Sequence, residues 1–146
     1  MQKKKNFLVY CGNPGIGKTH LIAALFPWAI KNFSCFRYHN ERQLLNKVRE
    51  SMSNFTGDYL TALKLLIDDD VVFLDDIGSE KHNEFREDVI FDAIDQRYSS
   101  MKPTVITSNY SISEFKRIYH PRVCSRLFAS ENVIIEVLDG EDQRQK

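Results

Sequence analysis

The sequence predicts an α/β fold, a parallel β-sheet between layers of helices, and three observations predict it. Apolar runs of strand length alternate with helical patterns from end to end. The run Val71-Val72-Phe73-Leu74 is apolar without interruption, as in a strand buried on both faces. A glycine-rich segment, Gly12-Asn13-Pro14-Gly15-Ile16-Gly17-Lys18-Thr19, joins the first strand pattern to the first helical one. A chain of 146 residues is expected to form one domain over 1–146 with a real core.

The elements follow in order. Phe7 to Cys11 reads as a buried strand and Thr19 to Lys31 as a helix, which Pro27 should kink or shorten by deleting a backbone hydrogen bond. Ser34 to Tyr38 reads as the second strand. Asn40 then looks like an N-cap, with Gln43 three residues on, opening a helix through about Met52. Tyr59 to Ile67 has a short helical pattern, and the acidic triplet Asp68-Asp69-Asp70 behind it reads as a solvated turn before the third strand. From Glu84 to Tyr98, Phe85, Val89, Ile90, Ala93 and Ile94 fall on one helical stripe. Pro103 to Ser108 is a fourth strand, Ile112 to Ile118 and Arg122 to Ala129 are helices, and Val133 to Val137 is a fifth strand.

The glycine-rich segment carries the chemistry. Two glycines separated by four residues, followed by Lys and Thr, complete a phosphate-binding loop. Gly15 and Gly17 let backbone N–H groups turn inward, and the helix start adds unpaired amides and a positive dipole end. Lys18 is placed to reach the β- and γ-phosphates, and the Thr19 hydroxyl to hold Mg²⁺. Gly12 through His20 are thus the candidate nucleotide contacts, with His20 otherwise a polar helix-start residue. Composition narrows the rest. Lys plus Arg and Asp plus Glu both number 20, so no global attraction to nucleic acid follows and a DNA contact needs a local patch. Cys11, Cys35 and Cys124 are odd in number and lack close pairs, which argues against a disulfide framework or zinc cluster and fits a cytoplasmic protein. Lys3-Lys4-Lys5 leads directly into the first strand without a signal peptide's apolar core, and no apolar run of about eighteen residues is present to span a membrane.

Two further strand ends contribute. Val71-Val72-Phe73-Leu74-Asp75-Asp76 is an apolar strand ending in acids, at the carboxyl edge where parallel sheets bind ligands. Asp75 would help hold Mg²⁺, and Asp76 would polarise the attacking water. Thr107-Ser108-Asn109 ends the next strand on the same edge. An amide at Asn109 could orient water and touch a γ-phosphate, or serve merely as a turn residue.

Taken together, the phosphate loop, Leu74-Asp75-Asp76-Ile77-Gly78, Lys102-Pro103-Thr104-Val105-Ile106-Thr107-Ser108-Asn109 and Arg122-Val123-Cys124-Ser125-Arg126-Leu127 resemble the AAA+ ATPases of the DnaC/DnaI type, the loaders of the replicative DNA helicase. The related IstB transposition helpers share much of the pattern. The resemblance runs from about Phe7 to Arg144. It implies a P-loop NTPase three-layer sandwich: a five-stranded parallel sheet in the order 5-1-4-3-2 with helices on both faces. It also implies a Mg²⁺-dependent ATPase cycling between ATP and ADP, with Asn109 as sensor 1. Arg126 would be the arginine finger presented to a neighbouring subunit, with Arg122 its competitor and a surface salt bridge the plain alternative. The partners implied are the replicative helicase, single-stranded DNA and further copies of the chain. Asp76 stands where many AAA+ enzymes have Glu, one methylene longer, so slow hydrolysis suited to a switch is expected. Little sequence precedes the first strand and no helical lid follows the last, so a minimal AAA+ core is expected.

For DNA, Arg42, Lys47 and Arg49 in one region and Lys81, His82 and Arg86 in another are the candidates, with Phe55 or Phe85 as stacking aromatics. A solvated helix face paired with Glu41, Glu50, Glu84 and Glu87 explains the same charges. Lys116, Arg117, His120 and Arg122 form a second basic cluster suited to a subunit interface. A small P-loop kinase is the competing enzyme class, but no acceptor pocket or arginine-rich lid is evident. A non-catalytic binding module is the remaining alternative, although Lys18, Thr19, Asp75 and Asn109 are intact.

Overall fold

The computed structural model describes residues 5–128, 131 and 133–140. Five strands, β1 (Phe7–Gly12), β2 (Phe36–Asn40), β3 (Val71–Asp75), β4 (Thr104–Ser108) and β5 (Val133–Leu138), form one sheet in the order β2-β3-β4-β1-β5 with every pair parallel. This is the expected order 5-1-4-3-2 read from the other edge. Its register sets Asn40 beside Asp75 and Cys11 beside Ser108, so the carboxyl ends of four strands meet at one rim.

The pleat sorts β3 between two cores. Val71 and Phe73 face α1 (Lys18–Asn32), packing with Ile22, Ala29 and Val105. Val72 and Leu74 face the other way. There they meet residues of α2 (Glu41–Ser51), α3 (Tyr59–Ile67), α4 (Glu84–Ser99), α5 (Ile112–Ile118) and α6 (Pro121–Phe128). Both faces carry helices, as expected, but among the described residues α1 alone covers its face. Beneath it, Phe26 packs edge-on against Phe73 and Tyr38 and tilted against Phe36.

Several local expectations hold in detail. Asn40 caps α2 by accepting from Gln43 N at 2.9 Å, and the Gln43 side chain accepts from Asn40 N at 3.3 Å, a complete capping box. Others are corrected. Pro27 does not shorten α1, which runs on to Asn32. The carbonyl that its missing N–H would have engaged belongs to Ala23, and both residues lie on the exposed side, where water can serve as donor. The second strand starts at Phe36 rather than Ser34, because the N–H groups of Ser34 and Cys35 both donate to the Asp70 carboxylate instead of a neighbouring strand. Past Ser51 the chain widens into a π-helical turn, Met52–Thr56, which Gly57 closes with φ 63°. The sixth helix ends within the described residues at Phe128; Ala129 lies outside them.

The acidic triplet is more than a solvated turn. Asp69 takes two hydrogen bonds from Arg37, Asp68 pairs with Lys102, and Asp70 holds the approach to β2. Behind the triplet the buried Arg97 of α4 donates to the carbonyls of Ile67, Asp69, Asp70 and Pro103 and to the Thr104 hydroxyl. Burial lowers its pKa to about 10, so it stays charged at neutral pH. One guanidinium therefore satisfies the backbone where α3 ends and β3 and β4 start, at the rim opposite the phosphate loop.

His39 of β2 is wholly buried, its Nε2 bound to the Leu66 carbonyl, and burial pushes its pKa down from 6.5 to about 4. The unfolded chain takes up that proton first. Its contribution to stability is therefore complete above pH 6.5 and lost as pH falls towards 4. Urea unfolding of the parent and of His39→Gln should differ in pH dependence: between pH 7 and 4.5 the parent should lose about 2 kcal/mol more. Parallel pH profiles would contradict this account.

Candidate functional site

The phosphate loop lies between the rim of β1 and α1. At Gly12 a Cβ would come 2.3 Å from the Leu138 carbonyl oxygen, so the loop leaves the sheet where only glycine fits against β5. Gly17 opens α1 with φ 96°, a left-handed conformation that favours glycine. Helices α2 to α5 have a side-chain cap from Asn40, Asp58, Asn83 or Ser111, whereas α1 starts with no side-chain cap. Its N-terminal amides and dipole are thus available to an anion. The Lys18 ammonium lies across the loop, donating to the carbonyls of Gly12 at 2.8 Å and Asn13 at 2.6 Å.

Asp75 is 3% exposed and accepts from three hydroxyls. Thr19 and Tyr38 donate to Oδ2 at 2.9 and 2.8 Å, and Thr107 donates to Oδ1. Asp76 follows with φ 58°, an uncommon conformation for a residue with a Cβ, and it turns the chain out of β3. Its N–H donates to the Thr107 hydroxyl and its carboxylate accepts from Asn109 Nδ2 at 2.6 Å. Burial raises the Asp76 pKa, and the negative charges of Asp75 and Glu41 push the same way. A carboxylate held beside a carboxamide on the wall of a cleft can accept a hydrogen bond or a proton from a molecule bound there.

The expected residues Lys18, Thr19, His20, Asp75, Asp76 and Asn109 thus line one cleft of about 740 Å³, together with Gly15 and Gly17. Gly12, Asn13, Pro14 and Ile16 complete the loop behind it. Among the described residues no cluster of three or more His, Cys, Asp or Glu side chains could bind a metal by itself. The Thr19 hydroxyl and Asp75 carboxylate are hard oxygen donors, and they suit Mg²⁺ shared with phosphate oxygens.

Arg126 and Arg122 do not line this cleft. Arg126 pairs with Asp95 of α4 at 3.0 Å and lies over the Tyr98 ring, while the Arg122 backbone N–H bonds to His120 Nδ1. A role for Arg126 at a second subunit's nucleotide requires it to leave Asp95.

The structure corrects the candidate DNA contacts at Arg86. Its side chain is buried, and its guanidinium donates to Glu41 Oε1 at 2.7 Å and to the Tyr119 hydroxyl. Glu41, read from the sequence as a surface partner, is fully buried as well, and its Oε2 accepts from Gly78 N, Ser79 Oγ and Glu80 N. This ion pair fixes the turn that follows Asp76. A signal was present, since Arg86 falls at i−3 and i−4 from Val89 and Ile90 on the buried stripe of α4. Arg42 pairs with Glu80, and Arg49 lies over Phe85. Both line a smaller groove of about 350 Å³ with Lys81. Phe55 is 83% exposed.

Tyr38 and Asn40 also line the main cleft, and the sequence did not mark them as site residues. No helix among the described residues is long and apolar enough to cross a membrane.

The family model described as IstB-like ATP binding protein matches residues 1–127. The replicative helicase loader DnaC of Buchnera aphidicola subsp. Acyrthosiphon pisum is 29% identical over 127 residues, covering 82% of this chain and 49% of that protein. The ATP-binding protein of insertion sequence IS5376 from Geobacillus stearothermophilus is 28% identical over 99% of this chain and 57% of its own length. Among solved structures, the crystal structure of the DnaC helicase loader superposes with a TM-score of 0.77 and 26% identity, covering 95% of this chain and 81% of that one. The chain spans about half the length of the helicase loaders it matches.

Proposed function

We propose that this chain, which belongs to the IstB-like ATP-binding protein family, is the AAA+ core of an ATP-hydrolysing switch that assists loading of a replicative helicase onto single-stranded DNA. The observation that carries hydrolysis is the Asp76–Asn109 pair, set beside the Lys18, Thr19 and Asp75 groups in one cleft. In this reading the amides of the loop and of the first turn of α1 cradle the phosphates, and Lys18 neutralises their charge. Asp76 takes the proton from water that Asn109 orients, and its raised pKa makes it a readier acceptor at neutral pH. Thr19 and Asp75 are the residues that would hold Mg²⁺, which offsets charge on the transferred phosphoryl group. Self-association would bring Arg126 to a neighbour's nucleotide. The helicase and single-stranded DNA come from the likeness to the helicase loaders. The basic groove at Arg42, Arg49 and Lys81 supports a DNA contact, with Arg86 removed from the set. Asp76, shorter than Glu, favours slow turnover.

The test combines turnover, nucleotide binding and oligomeric state, each with and without single-stranded DNA. Arg126→Ala should bind ATP within about twofold of the parent and lose at least about tenfold in turnover. An Arg126→Ala protein that hydrolyses ATP at the parental rate as a monomer would overturn the finger assignment. A second reading, an ATPase that assists transposition, is favoured by the alignment to the insertion-sequence protein, which spans 99% of this chain. Stimulation of turnover by a replicative helicase, against stimulation by a transposase, separates the two.

A further inference from the structure

Tyr38 lies on β2, opposite Phe73 in the register and two residues before the strand's last position. Residues 71, 73 and 75 of β3 share the face covered by α1, so a tyrosine beside Phe73 can reach along that face to Asp75. Its ring is held edge-on against Phe26 of α1, 5.9 Å between centroids, and its hydroxyl donates to Asp75 Oδ2 at 2.8 Å. Thr19 of α1 donates to the same oxygen. One carboxylate oxygen is therefore held by a residue of the helix that bears the phosphate loop and by a residue of the neighbouring strand. Tyr38 also lines the cleft that holds Lys18, Thr19 and Asp75.

We propose that Tyr38 is a positioning residue for the cation site: its hydroxyl fixes the orientation of the Asp75 carboxylate, and so sets how readily the nucleotide is bound with Mg²⁺. The proposal rests on the nucleotide-binding reading given above. An ionised carboxylate with little exposure to water depends on its donors, and a hydrogen bond to a charged group is among the stronger ones. Without the Tyr38 hydroxyl, Oδ2 keeps only the Thr19 donor. With Thr107 still on Oδ1, Oδ2 can then swing away from the direction that the loop helix and β2 impose together. The aromatic ring plays a separate part, packing under α1 with Phe26, and Tyr38→Phe preserves it.

The experiment uses a fluorescent ATP analogue and follows its binding to the parent and to Tyr38→Phe, first in EDTA and then across a Mg²⁺ titration. Thermal unfolding reports the fold. The expected result is metal-free affinity within about twofold of the parent, with the half-saturating Mg²⁺ concentration raised about three- to tenfold. Turnover at saturating ATP should fall more than the KM for ATP changes. Because Tyr38 acts through Asp75, adding Tyr38→Phe to Asp75→Asn should weaken Mg²⁺–nucleotide binding no further. Superimposable Mg²⁺ titrations, or additive losses in the double variant, would overturn the role of Tyr38 while leaving nucleotide binding intact. Failure of the parent to bind nucleotide in either condition would overturn the reading on which the proposal rests, and the proposal with it.

Discussion

Arg86→Leu is expected to destabilise the domain by about 3–5 kcal/mol, measured as the loss in urea-unfolding free energy at pH 7. Arg86 is 1% exposed and its carboxylate partner Glu41 is fully buried, so removing one leaves a charge in the interior without its counter-ion. Leucine recovers some apolar packing, but it cannot supply the N–H groups that reach Glu41 and the Tyr119 hydroxyl. Replacing both members of a buried ion pair is often close to neutral. Here the double variant Glu41→Leu/Arg86→Leu should recover only part of the loss. Glu41 also accepts from the N–H groups of Gly78 and Glu80, and these amides would be left without that acceptor. A double variant as stable as the parent would show that the turn after Asp76 does not depend on Glu41. A loss below about 1 kcal/mol in Arg86→Leu would show that the pair is not closed as described.

That ion pair also shows why some of the site was legible in the sequence and some was not. The rim was legible because each part lies within one short segment. The glycine loop is contiguous, and Asp75 and Asp76 end an unbroken apolar strand. Thr107 and Asn109 end the next one. Given parallel strands, the ends of β1, β3 and β4 must share an edge, and the structure brings Asp76 and Asn109 within 2.6 Å. Glu41, Arg86 and Tyr119 come from three separate parts of the chain; the stripe of α4 marks Arg86 for burial, but nothing local pairs it with Glu41 or Tyr119. Tyr38 was recognised as part of a strand. Its contact with Asp75 depends on the register between β2 and β3, which neither strand's pattern specifies. At the opposite rim, Asp68 to Asp70 have the composition of a solvated turn. Their role appears only once Arg37, Lys102 and Arg97 converge on them. Pro27 marks the reverse limit: propensity predicts a kinked or shortened helix, and α1 runs on to Asn32 with Pro27 on its exposed side.

Lys18→Ala is expected to be the most damaging change to function, lowering ATP turnover on the order of 10²–10³-fold, as does removal of a single donor aimed at developing negative charge. The ammonium is held by the Gly12 and Asn13 carbonyls, inside the loop it would serve. Little reorganisation is then needed when phosphate oxygens replace those carbonyls. Alanine removes this positive charge while leaving the uncapped start of α1, so phosphate binding should weaken rather than vanish, by about ten- to a hundredfold. Turnover should fall further than affinity, because charge on the phosphoryl oxygens grows as the reaction proceeds. The same bonds give Lys18 a second role, cross-linking the loop, and a variant that merely loosened the loop would also bind poorly. Lys18→Met separates these roles. Its unbranched side chain keeps most of the buried stem and loses only the charge and donors. If charge is what matters, Met and Ala will be equally inactive with thermal unfolding close to the parent; if Met restores turnover, packing of the stem is the operative feature and the phosphate role of Lys18 is wrong. Arg126→Ala supplies the contrast in binding. That side chain lies outside the cleft, paired with Asp95, so the affinity of a single chain for ATP should be unaltered there and reduced at Lys18.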